Sequence, residues 1–114
     1  HDALPIYLHA GLYQNKYTEQ ENQQFAQEFD EITKKMVVSL EAGESFDSVA
    51  MQAAGREHYE FCLRFWTPNR EAYKSLALSF ILPTGYRDTY ESYAEGLGKY
   101  VYDAITHFAD TNLS

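Results

Sequence analysis

Cys62 and His58 stand four residues apart, so on a helix they share one face. A thiol beside an imidazole is the beginning of a nucleophilic site, in which the base draws the proton from sulfur. The surrounding residues argue for a different use. Ala54, His58, Phe61, Cys62 and Phe65 recur at helical spacing on one apolar stripe, and a thiol on such a stripe acts as a small core filler. The four histidines, His1, His9, His58 and His107, show no i+3 or i+4 pairing that would clamp a metal. His58 stands where a haem ligand would stand, but the simpler reading is a core histidine bonded to a backbone carbonyl or a carboxylate. The carboxylates fall on polar helix faces, and no pair is set apart for acid–base work. The chain therefore reads as a non-enzyme with no metal and no cofactor.

The excess lies in the aromatics. Ten tyrosines among 114 residues exceed what core filling needs, because each hydroxyl must find a partner or reach water. The stretch "FCLRFWTPNREAY" (61–73) places the only tryptophan at a sharp helix break. Tyr59, Phe65 and Trp66 lie before or at that break. Tyr73, Tyr86, Tyr90, Tyr93, Tyr100 and Tyr102 follow it. Brought together, such residues form a cleft with apolar walls and hydroxyl rims, the make-up of a drug-sized site. A tyrosine-rich core with hydroxyls reaching outward at its edges fits the same spacing.

The elements that must position these residues are helical. Thr18-x-x-Glu21 is a capping box, and Phe25, Phe29, Ile32, Met36 and Leu40 continue from it as one apolar stripe. Gly43 is placed to end that helix. A second helix is expected from Ser45 or Asp47 to Phe65 or Trp66. Gly55 weakens it by about 1 kcal/mol relative to alanine, which predicts a closely packed neighbour. A third is expected from a Thr67 cap, with Pro68 at its first position, to about Ile81. "LPTG" (82–85) breaks it, and a short helix over 86–93 carries Tyr86, Tyr90 and Tyr93 on one face. Gly96 and Gly98 open a last helix with Leu97, Tyr100, Val101, Ala104, Ile105 and Phe108 inward. The fold class is all-α, about five helices with short connections.

Hydrophobic residues make up 45% of the chain, enough for one cored domain. A net charge of -8 excludes direct nucleic-acid contact by this piece, because phosphate neutralisation needs a basic surface. No apolar run approaches the roughly 20 residues of a membrane helix, and no signal-peptide pattern opens the chain. A single cysteine fits a reducing cytoplasm. The chain begins at His1 rather than Met, as a processed chain or a piece of a longer protein would.

"HYEFCLRFWTPNREAYKSLA", followed by "YAEGLGKYVYDAI", resembles the TipAS-type antibiotic-recognition domain, the effector-binding half of MerR-family transcriptional activators. The likeness runs over roughly residues 18–110. It rests on the helix from His58 to Arg64-Phe65-Trp66, the Thr-Pro corner and the glycine-led last helix. It implies a globin-like helical fold without haem, and a cleft for a hydrophobic drug or antibiotic with Phe65, Trp66 and Tyr73 as its corner-side wall. It implies that residues 1–17 form an arm or lid that orders around the ligand, and that 18–114 form the binding domain. It also implies a winged helix-turn-helix and a dimerising coiled coil outside this chain. Through these, a homodimer would reach promoter DNA and RNA polymerase. One departure bears on mechanism. The family's thiostrepton binder captures its ligand with a cysteine after the corner, whereas "TPNREAYKSLA" has none. Covalent thiopeptide capture is therefore not expected, and reversible binding of some other drug is. The alternative from another class is a helical protein-interaction or sequestration domain without a small-molecule ligand. It differs in predicting no response of Trp66 fluorescence to hydrophobic drugs.

Overall fold

Thr18 begins the first helix as its spacing to Glu21 predicts. The Glu21 amide donates to Thr18 Oγ1 at 3.0 Å, and the Thr18 amide donates to Glu21 Oε1 at 2.8 Å. A cap of this kind is worth about 1 kcal/mol. The structure is a computed structural model and describes residues 17–114, so the expected lid lies outside the described residues but for Tyr17. Five helices follow in order: α1 Glu19–Glu41, α2 Val49–Cys62, α3 Arg70–Leu78, α4 Gly85–Tyr93 and α5 Leu97–Asn112. Among the described residues there is no strand, and the all-α expectation holds. Among them too, no helix is long and apolar enough to cross a membrane.

Two helix starts differ from expectation. Ser48 caps α2, its hydroxyl accepting from the Met51 amide at 3.1 Å. Ser45 and Asp47 bond each other within the preceding loop, which occupies the side chains that would otherwise cap. Asn69, not Thr67, caps α3, its Oδ1 accepting from the Ala72 amide at 2.9 Å. Asparagine is as strong a cap as threonine or stronger, and Pro68 is buried just ahead of the helix instead of opening it. α3 also stops at Leu78, short of Ile81. Its tail runs into turns that Thr84 ties down, donating to the Ser79 carbonyl while accepting from the Arg87 amide at the start of α4.

α5 packs against each of the other four helices and is the axis of the fold. Its inner face, Leu97, Val101, Ala104, Ile105 and Phe108, is essentially without exposed surface. Each large side chain buried there stabilises by about 1.5–3 kcal/mol. α3 lies along α5, and α1 lies along α2. α1 and α4 meet least of the paired helices, and α2 and α4 do not pair directly. That leaves side chains to bridge the space between the end of α2 and α4.

Candidate functional site

The corner is built by α2 running out. The amides of Phe65 and Trp66 both donate to the Cys62 carbonyl, at 2.9 and 3.1 Å, so the chain coils once more before Pro68. Pro68 has no amide hydrogen to continue such bonding. The Trp66 indole turns back and donates to the Cys62 sulfur. Beside it, the half-buried Phe65 ring meets Phe25, Phe61 and Tyr17 at 4.9, 5.4 and 6.0 Å between centroids.

Beneath the corner lies a polar cluster inside the apolar core. His58 Nδ1 and Tyr73 Oη share a hydrogen bond of 2.6 Å, and Cys62 Sγ lies 3.9 Å from the same nitrogen. One partner of His58 is thus a phenol, because α3 brings Tyr73 against α2 where no local spacing announces it. Burial pushes the Cys62 thiol up to about 12, with the Trp66 bond a smaller opposing influence. At neutral pH it is a protonated thiol, not a nucleophile. Burial likewise pushes the phenols of Tyr73 and Tyr90 well above the usual range, and the nearby Cys62 adds to it.

Cys62 is accordingly expected to alkylate far more slowly in the native domain than in denaturant. At pH 8, a shift from the ordinary range to about 12 lowers the thiolate fraction by roughly a thousandfold before access is considered. Iodoacetamide labelling followed by mass spectrometry measures the ratio. Equal rates in the two states would show an open thiol.

On the far side, α4 presents Tyr86, Thr89, Tyr90 and Tyr93. Tyr90 is fully buried, its ring 5.0 Å from Phe80 and 5.9 Å from Phe29. Tyr93 is half-buried, and its hydroxyl donates to Asp30 on α1. That bond, with Lys34 next, holds the Asp30 carboxyl below its usual range. Burial first, then Asp30, raises the Tyr93 phenol. A continuous strip thus runs from Trp66 through Cys62 and Tyr90 to Tyr93 and Asp30.

The expected wall residues do not gather in one place. Phe65, Trp66, Tyr90 and Tyr93 lie along this strip. Tyr86 is buried against Phe80 at 5.6 Å. Tyr73 is fully buried under His58. Tyr59 turns toward Tyr73 and Phe108, at 5.3 and 5.5 Å, on the side of α3 and α5. Tyr100 is a clamp: it donates to the Glu44 carbonyl and accepts from Ser39, both at 2.8 Å. Ser39 lies 14 residues along α1 from Phe25, which puts Tyr100 about 20 Å from the corner. Asp30 and Cys62 belong to the strip without being expected there. Nothing in the sequence couples Asp30 to a tyrosine 63 residues away.

Comparison with known proteins gives three findings. No curated protein matches the chain. A solved structure of TipAS in complex with nosiheptide, from a thiopeptide antibiotic multidrug resistance system of Streptomyces lividans, has the same fold. Its TM-score is 0.81 at 24% identity, and the match covers 97% of this chain and 76% of that one. The profile of the TipAS antibiotic-recognition domain matches residues 11–108, most of the chain. By that match, the chain belongs to the TipAS antibiotic-recognition domain family.

Proposed function

We propose that this domain binds bulky, largely apolar antibiotics reversibly over the strip between the corner and α4, and that occupancy switches a MerR-family activator of resistance genes. The observation that supports it most is the half-buried Trp66, an indole held by a weak bond to sulfur at the edge of a buried aromatic floor. Such an aromatic can stack on a ligand without first being extracted from the core. Membership in a family whose member TipAS holds nosiheptide points the same way.

Reversibility follows from the thiol. Cys62 is the only cysteine, it is buried, and it stays protonated at neutral pH. The net charge of -8 disfavours DNA contact by this piece, and in this reading promoter contact falls to a winged helix elsewhere in a full-length protein, where a coiled coil would hold the homodimer. Residues 1–17 serve in this reading as a lid. Their amide exchange should slow on binding, and equal protection with and without drug removes the lid.

Titration of Trp66 fluorescence with nosiheptide and a panel of hydrophobic antibiotics tests the reading. Trp66→Ala should weaken binding by about 1–3 kcal/mol, the usual worth of a buried aromatic anchor. No binding by calorimetry across the panel would sink the function. Unchanged affinity, with intact circular dichroism, would move the ligand away from the corner.

A further inference from the structure

The Tyr90 hydroxyl is fully buried and has no hydrogen-bond partner among the described residues. A buried polar group left unmade costs stability, so its persistence asks for a reason. Phenylalanine would fill the same space between Phe29 and Phe80 without that cost. The ring packs against those two neighbours. The hydroxyl belongs to the strip, between the Cys62 thiol that receives the Trp66 indole and the Tyr93 phenol that reaches Asp30. A trapped water would need two to four polar partners. The flanking rings of Phe29 and Phe80 supply none, the Cys62 thiol is a weak partner, and the Tyr93 hydroxyl already donates to Asp30.

We propose that Tyr90 is a specificity-determining residue of the antibiotic site, whose hydroxyl donates to an uncharged acceptor, an amide carbonyl or azole nitrogen, on an otherwise apolar macrocyclic peptide. The inference rests on the function proposed above and deepens it. In the free domain the donor is unmade, and the ligand supplies what is missing. The binding contact then replaces no bond to water or protein, which is the circumstance in which one hydrogen bond counts most. Trp66, half-buried at the corner beside the Cys62 thiol, is the side chain that moves as the ligand reaches the floor. The acceptor must be uncharged. The Asp30 carboxylate stands at one end of the strip, and the cations near its two ends are already paired, Arg64 with Glu28 and Lys34 with Asp30. An anionic ligand would meet repulsion there, and a purely hydrocarbon one would leave the hydroxyl unmade.

Tyr90→Phe and the wild-type chain, titrated calorimetrically with nosiheptide, test this. The variant is expected to melt at or above the wild-type temperature when free, because an unpaired hydroxyl has been removed. It should bind nosiheptide about tenfold more weakly, the worth of one hydrogen bond to a buried donor. Wild-type binding with equal affinity in Tyr90→Phe overturns the assignment of Tyr90 and leaves the proposed function standing. A clear drop in the melting temperature of the free variant also overturns it, since the hydroxyl would then already have a partner. A wild-type chain that does not bind nosiheptide overturns the thiopeptide reading, and this inference with it.

Discussion

Gly98→Ala is expected to destabilise the domain by about 3 kcal/mol or more. A Cβ at this position would stand 2.4 Å from the Phe80 carbonyl oxygen and 3.2 Å from Glu91 Oε2. The first obstacle is backbone, held in the turn between α3 and α4, and it cannot swing aside as a side chain would. The second is the carboxylate that accepts from the amides of Gly96 and Gly98, both at 2.9 Å, and so satisfies the start of α5. The methyl therefore forces α5 away from the α3–α4 turn and breaks a charged cap together. Overpacking alone costs about 1–3 kcal/mol, and a hydrogen bond to a charged group about 1.5–3. Gly55→Ala provides the contrast in the same urea titration. The sequence predicts a close neighbour there, but the nearest atom to an added methyl is Ile105 Cδ1 at 3.7 Å, an ordinary contact. Gly55→Ala should be neutral or stabilising by up to about 1 kcal/mol, from helix propensity. If Gly98→Ala unfolds within about 0.5 kcal/mol of wild type, the turn is free to move and the close approach is not structural.

Stability should fall steeply above pH 9. Cys62, Tyr73 and Tyr90 are buried in their neutral forms, and each holds its proton more tightly folded than unfolded. Their contribution is fully present below the unfolded ionisation range, near 9 for the thiol and 10 for the phenols. It is lost as pH rises through that range toward the folded values, because only the unfolded chain releases protons there. Each group ionised only when unfolded costs about 1.4 kcal/mol per pH unit. Summed over the three groups, the loss between pH 9 and 11 is on the order of 5 kcal/mol, a large part of a small domain's stability. Denaturant melts at pH 8, 9, 10 and 11 measure it. Cys62→Ala should flatten the first part of the decline, since the thiol titrates before the phenols. A melt that does not change between pH 9 and 11 would mean that these groups reach solvent in the folded chain.

Much of the fold was legible because helix formation is local. The apolar steps from Phe25 to Leu40 set the inner face of α1, and Thr18 with Glu21 set its start, within one turn of chain. Phe61 and Cys62 were readable as core from the stripe they share with Ala54 and His58, and all four are buried. Helix starts were less secure. Ser45, Asp47 and Ser48 are all competent caps, and the choice fell to Ser48 once the other two had bonded each other. The same competition at the corner put Asn69 ahead of Thr67.

The sequence by itself determined that this chain is helical, where its main breaks fall, which faces are apolar, and that it carries more tyrosines than a core requires. Which tyrosines face which partners was decided only in three dimensions. Tyr93 meets Asp30 across 63 residues, Tyr100 meets Ser39 across 61, and Tyr73 meets His58 across 15. A tyrosine has an apolar ring that suits the core and a hydroxyl that does not, so its sequence position sets the helix face and nothing more. Whether the hydroxyl ends in a clamp, in a buried pair with histidine or without a partner depends on how far one helix is rotated against the next. That rotation is set by packing along the whole length of α5, and no residue within reach of the local chain carries it.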